Sequence, residues 1–163
     1  DQLGVPRSAP MVLLTMGGIP WTHRNLERLQ GHPDAFFVVP GASSTVGREG
    51  GLVHLPHRSP VYHPDLVQAS DLVVGKLGYS TVAETYHAQV AFAYVPRPRF
   101  PETPILESFV RGTMTAHRIS ADELESMAWV DRLDLYWAAR DTGPPRENGA
   151  QRAAALICEH ACL

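Results

Sequence analysis

Gly75, Gly78, Ser80, Thr81 and Glu84 fall within ten residues, directly after the apolar run Leu72-Val73-Val74. The run is β-prone and fits a strand buried on both faces. Gly75 and Gly78 then allow a turn that a Cβ would penalise. Ser80 or Thr81 is placed to cap a helix. The first backbone N–H groups of such a helix point outward unpaired, with the positive end of the helix dipole behind them. That arrangement binds phosphate. Glu84 lies about one helical turn further in, and an ionised carboxylate accepts both hydroxyls of a ribose. The same residues also suit a plain strand-to-helix turn followed by an exposed glutamate. Two nucleotide signatures are absent. Lys76 does not stand in a Gly-Lys-Ser/Thr sequence, and no Gly-x-Gly-x-x-Gly occurs, which argues against a P-loop and a dinucleotide fingerprint.

A second glycine pair, Gly17-Gly18, ends the apolar segment Met11 to Met16. Paired glycines let a backbone approach a diphosphate, or simply turn into a helix. Arg97 and Arg99 stand in the proline loop Pro96 to Pro101. They can pair with phosphate, or hold the loop through Glu102 or Glu107. Of the eight histidines, His57 and His63 flank a loop on the same side. No pair of them has metal-ligand spacing with a third ligand, so no metal and no cofactor is expected. No Ser/His/Asp or Cys/His arrangement stands out. Cys158 and Cys162 read as plain thiols of a reducing cytoplasm.

The elements that must hold these residues follow from the alternation along the chain. Apolar strands are expected at 11–16, 35–39, 52–55, 72–74, 90–95 and 113–117. Helices are expected at 21–30, 63–69, 81–87, 102–110, from a capping box at Ser120 to about Met127, and at 150–159. Residues 42–51 read as a polar loop, and residues 1–10, with Pro6 and Pro10, as a linker remnant before one domain at 11–163. The expected fold is an α/β, Rossmann-like three-layer sandwich around a parallel sheet of about six strands. In such sheets a ligand sits beyond the carboxyl ends of the strands. Those ends are the loops at Gly17-Gly18, Gly41, Pro56 to Ser59, Gly75 to Ser80 and Pro96 to Pro101.

With 163 residues, 44% apolar and 19% charged, the chain has the composition of a globular domain. A net charge of −3 gives no electrostatic reason to expect nucleic acid or an anionic membrane. No apolar run approaches the ~20 residues of a transmembrane segment. No signal peptide is visible, and a cytoplasmic location is expected.

These motifs resemble the C-terminal, nucleotide-sugar-binding half of GT-B glycosyltransferases. The peptidoglycan N-acetylglucosaminyltransferase family shares Ser70-Asp71-Leu72-Val73-Val74, Gly78-Tyr79-Ser80-Thr81-Val82-Ala83-Glu84 and Phe92-Ala93-Tyr94-Val95-Pro96 in pattern. The glycosyltransferase-like region of arabinokinase-type proteins is similar through Leu14-Thr15-Met16-Gly17-Gly18, Tyr62-His63-Pro64-Asp65, Gly75-Lys76-Leu77-Gly78-Tyr79, Pro101-Glu102 and Asn148-Gly149. The resemblance implies one half of a GT-B fold and a UDP-sugar as donor. It implies that Gly17, Gly18, Gly78, Tyr79, Ser80 and Thr81 hold the diphosphate, Glu84 the ribose, and Leu55, Pro56 and His57 the base. Glu102 and Thr103 would face the donor sugar, where the bacterial family carries glutamine and a nearby asparagine. It names no catalytic residue, because acceptor and base usually lie on an N-terminal domain, which this chain is expected to lack. The chain is therefore expected to be a domain that transfers sugar poorly by itself. Alternatives are a binding or regulatory module without catalysis, and a nucleotide-sugar hydrolase or epimerase.

Overall fold

The structure, a computed structural model, describes residues 3–18, 21–137, 143, 146 and 149–161. Seven strands form one sheet: β1 (Met11–Thr15), β2 (Phe36–Pro40), β3 (Gly47–Glu49), β4 (Leu52–Leu55), β5 (Leu72–Lys76), β6 (Ala91–Val95) and β7 (Ala116–Arg118), in the order β3-β4-β2-β1-β5-β6-β7. All pairings are parallel except β3 with β4. The sheet is thus α/β and Rossmann-like, with six parallel strands as expected and β3 added antiparallel at one edge.

Alternation along the strands builds two cores. Val12, Leu14, Phe37, Val39, Leu72 and Val74 face one side. They pack there with Leu29 of α1 (Glu27–Gln30), Leu124 of α5 (Ala121–Ser126), Trp129 and Val130 of a 3-10 turn (Ala128–Arg132), and Leu133 and Tyr136 of α6 (Leu133–Trp137). Met11, Leu13, Val38, Val53, Val73 and Phe92 face the other. They meet α2 (His63–Ala69), α3 (Tyr79–Ala88) and α4 (Thr103–Thr113) through Leu66, Val67, Val82, Leu106 and Val110. A sheet buried on both faces requires the continuous apolar strands that this sequence has. A last helix, α7 (Gly149–Ala161), buries none of its residues. Cys158 lies on it as an exposed thiol, and Cys162 is outside the described residues. Leu3 and Val5 pack against the second core, so the expected linker segment touches the domain.

Several boundaries differ from expectation for local reasons. The expected helix at 21–30 shrinks to α1, because Asn25 takes φ +57 and donates its side-chain amide to Glu125 O at 2.7 Å. The expected loop at 42–51 contains β3, returned onto β4 by the two-residue turn Gly50-Gly51, with Gly50 at φ +59. Gly75 belongs to β5 and not to the turn. It pairs with Thr15, and a Cβ there would stand 2.2 Å from Thr15 O. Close approach of two backbones is what fixes this glycine. α4 runs through Gly112 to Thr113. The capping box forms as expected: Ser120 Oγ accepts from Glu123 N at 3.0 Å and Glu123 Oε2 from Ser120 N at 2.7 Å.

Candidate functional site

The parallel strands β1, β2, β4, β5 and β6 end on one edge, and the loops that leave them carry the expected site residues. The Ser70-Asp71 pair sits at the opposite edge and is architectural. Ser70 Oγ donates to Leu66 O at 2.6 Å, closing α2. Asp71 Oδ2 accepts from Met11 N at 2.9 Å, and Asp71 N donates to Met11 O at 2.8 Å, fixing the start of β1 beside β5.

The helix that follows β5 starts earlier than a hydroxyl cap would place it. Gly78 is the N-cap, in extended conformation, and no side chain caps α3. Val82 N makes the first bond back, to Gly78 O at 2.9 Å. The N–H groups of Tyr79, Ser80 and Thr81 therefore have no partner in the helix. A capping hydroxyl would have consumed one of these donors; its absence leaves all three for an anion. Tyr79 and Ser80 are exposed, whereas the Thr81 side chain is buried, so Thr81 can offer a ligand its backbone only.

A hydrogen-bonded chain ties this helix to the first glycine loop. Glu84 Oε2 lies 2.9 Å from His63 Nδ1, and His63 Nε2 lies 3.1 Å from Thr15 Oγ1. Thr15 Oγ1 also accepts from Gly17 N at 3.1 Å. An ionised carboxylate only accepts, so Nδ1 carries the ring proton toward Glu84. In the neutral ring Nε2 then accepts from the Thr15 hydroxyl. Glu84 Oε1 remains open among the described residues, on a side chain 26% exposed. Gly17 N is already used, whereas Gly18 N has no hydrogen-bond partner among the described residues. Gly17 contributes its φ of +62 and its missing side chain. His63 is the residue the sequence reading underrated. Its signal was the Tyr62-His63-Pro64-Asp65 helix start, which sets the imidazole on the first turn of α2 facing α3.

A cleft of about 260 Å³ opens beside this chain. Thr15, Gly17, His23, Gly41, His57 and His63 are among its lining residues. Gly41 takes φ +83, a backbone conformation that favours glycine, and lies next to the His57 ring. Leu55 is fully buried, and its carbonyl accepts from Gly41 N at 2.9 Å. Of the expected base-binding residues, Pro56 and His57 reach the surface and Leu55 shapes the loop beneath them. Burial of His23 pulls its pKa below 6.5, and its Nδ1 is buried without a partner among the described residues.

The proline loop is stapled internally. Thr103 is buried, and its hydroxyl donates to Arg97 O at 2.6 Å. Arg97 stacks over Phe100, 3.2 Å from the ring centroid. Glu107 pairs with Arg118 at 3.2 Å instead of with Arg97 or Arg99. Glu102 is half-buried directly before α4 and adjoins the same loop. Among the described residues no group of three His, Cys, Asp or Glu side chains is placed to hold a metal ion. None of their helices is long and apolar enough to cross a membrane.

No protein-family model matches the chain. It is 28% identical over 162 residues to L-arabinokinase of Arabidopsis thaliana, a match that takes in 98% of this chain and 15% of that protein. Its structure is similar to the glycosyltransferase SnogD from Streptomyces nogalater, with a TM-score of 0.55 and 16% identity, over 97% of this chain and 45% of that one. It is also similar to MurG of Acinetobacter baumannii, with a TM-score of 0.58 and 16% identity, over 93% of this chain and 52% of that one. The chain therefore has the fold of one half of a GT-B glycosyltransferase. It spans about half the length of these structures and a smaller part of the arabinokinase.

Proposed function

We propose that this domain binds a nucleoside diphosphate sugar, UDP-linked, as the donor half of a GT-B-type glycosyltransferase. One observation carries the reading: among the described residues, three unpaired amides open α3, and Glu84 stands on that helix with one carboxylate oxygen free. Backbone amides suit a diphosphate and a free carboxylate oxygen suits a ribose. Pro56 and His57 would border the base, and Glu102 the sugar.

In the transfer, an acceptor oxygen forms a bond to the anomeric carbon as the bond from that carbon to the diphosphate oxygen breaks. The electron pair leaves with the diphosphate, and the acceptor's proton passes to a base. Amides fixed at a helix terminus need no reorganisation as that charge develops. The acceptor and the base would come from a second domain, which completes the cleft and excludes water. A second reading is a binding module without catalysis. The similarity to part of an arabinokinase favours it, as does Glu102-Thr103 in place of glutamine.

Calorimetric titration with UDP, ADP and TDP tests the proposal. Saturable binding that prefers UDP is expected, and no binding of any of the three would overturn it. Release of UDP only when an acceptor and the second domain are present would separate transfer from the module reading. Release without an acceptor would indicate hydrolysis.

A further inference from the structure

A second cleft adjoins the one beside His63. It holds about 270 Å³ and is lined by Trp21, Thr22, Arg24, Leu124, Glu125 and Met127. Trp21 and Thr22 line both clefts, so the two share a wall. Residues 21–24 precede α1, and Leu124 to Met127 close α5. Three contacts between residues about a hundred positions apart clamp these two segments together. Asn25 donates its side-chain amide to Glu125 O at 2.7 Å. Arg28 donates to Ser126 O at 3.0 Å and pairs with Asp131 at 2.9 Å. Asn25 at φ +57 and Met127 at φ +59, two of the three non-glycine residues with positive φ among the described residues, stand one on each side of the clamp. Met127 ends α5 where glycine is the usual residue. Backbone of this kind persists where surrounding contacts over-determine it, and it gathers at ligand sites.

The lining has the chemistry of a sugar site. Trp21 is 39% exposed and stacks on no other ring among the described residues. Its electron-rich face attracts the slightly positive C–H groups of a saturated ring. Arg24 and Glu125 are exposed, and neither forms an ion pair among the described residues. Arginine only donates and an ionised glutamate only accepts, whereas the Thr22 hydroxyl does both. The two charges cancel, which favours a neutral ligand with several hydroxyls over an ion. The buried Leu124 and Met127 supply the apolar side of the cleft. The donor's own sugar is expected elsewhere. In the sheet order β1-β5-β6, the loop after β1 that leads to Trp21 is two strands away from the loop after β6 that carries Glu102.

We propose that this cleft is a carbohydrate subsite, in which a neutral pyranose ring lies on Trp21 and its hydroxyls reach Arg24 and Glu125. The subsite needs no nucleotide. In the transfer reading above, on which this one step rests, the ring is a unit of the acceptor, and its binding helps to hold the acceptor against the donor.

The experiment follows the Trp21 indole N–H and the backbone amides by NMR as methyl glucoside, methyl galactoside and methyl arabinoside are added to the whole chain, with cyclohexanol as an apolar control. The titrations are repeated on Trp21→Ala, Trp21→Phe and Glu125→Gln, and on the wild-type chain with UDP present. At least one glycoside is expected to move the signals of Trp21, Arg24 and Glu125 together, with one affinity. Trp21→Ala should weaken that binding by about tenfold and Glu125→Gln by less, while Trp21→Phe keeps a ring and restores part of it. UDP should leave the glycoside affinity in place. Glycoside binding with no binding of UDP would uphold the subsite and overturn the donor reading. No saturable shift from any of the three glycosides, with UDP still bound, would overturn the subsite and leave the donor reading intact. Glycoside binding that is indifferent to Trp21→Ala, displaced by UDP, or matched by cyclohexanol would also overturn the subsite.

Discussion

Glu84 Oε2 and His63 Nδ1 stand 2.9 Å apart and join the interior of α3 to the first turn of α2 across the carboxyl edge of the sheet. The contact holds the carboxylate in one orientation and leaves its second oxygen open among the described residues. Glu84→Ala is expected to weaken UDP binding by about tenfold, the scale of a charge-assisted hydrogen bond to a hydroxyl. His63→Ala should weaken it less, because the carboxylate remains but loses its orientation. Calorimetry on both variants, with thermal melts to monitor folding, checks the order of the two effects.

Thr15 is the buried end of the same chain. Its hydroxyl serves both Gly17 N and His63, and the residue is 2% exposed. Thr15→Val keeps the shape and removes the oxygen, stranding two polar groups. A loss of about 1–3 kcal/mol is expected in urea denaturation. An unchanged midpoint would mean that water replaces the hydroxyl.

Gly75 and Gly18 separate backbone approach from turn flexibility. A methyl at Gly75 would meet Thr15 O at 2.2 Å in the middle of the sheet, whereas one at Gly18 has no atom within 4 Å. Gly75→Ala should destabilise the domain by about 3 kcal/mol or prevent folding. Gly18→Ala should leave stability within about 0.5 kcal/mol. Denaturation midpoints of the two variants provide the comparison.

The pH dependence of stability has a defined sign. Burial lowers the folded-state pKa of both His23 and His117, and the Arg132 charge adds to the effect at His117. Above the ordinary value of 6.5 both residues are neutral in folded and unfolded chains, and they contribute no slope. As pH falls through 6.5 the unfolded chain takes up protons that the folded chain refuses, so stability declines until the folded pKa values are passed. His117 lies 4.9 Å from the Tyr136 ring, with its Nε2 buried and unpartnered among the described residues. His117→Phe should therefore flatten the decline between about pH 7 and about pH 5. Urea denaturation across that range, with wild type alongside, reads the difference.

The sheet was legible because each central strand is a continuous apolar run, and only burial on both faces rewards such a run. The Ser120 capping box was legible because its two hydrogen bonds are local. Asn25 was not, since its left-handed backbone depends on a bond to Glu125, a hundred residues away. The strand β3 was hidden because Gly47-Arg48-Glu49 has no apolar pattern and is held by β4 and by the Gly50 turn. The glycines and hydroxyls after β5 marked a strand-to-helix turn, yet the hydroxyls do not cap the helix. The place of Gly75 in β5 is set by Thr15 on the neighbouring strand. The His63–Glu84 contact joins residues 21 positions apart on two helices, a relation that spacing does not encode.

The most direct test of the central claim follows the backbone amides of this 163-residue chain by heteronuclear NMR during titration with UDP. The account predicts that the signals of Gly18, Tyr79, Ser80 and Thr81 move together and saturate with one affinity, while those of α7 stay in place. Saturable shifts confined to residues away from the carboxyl edge, or no shifts at all, would contradict it.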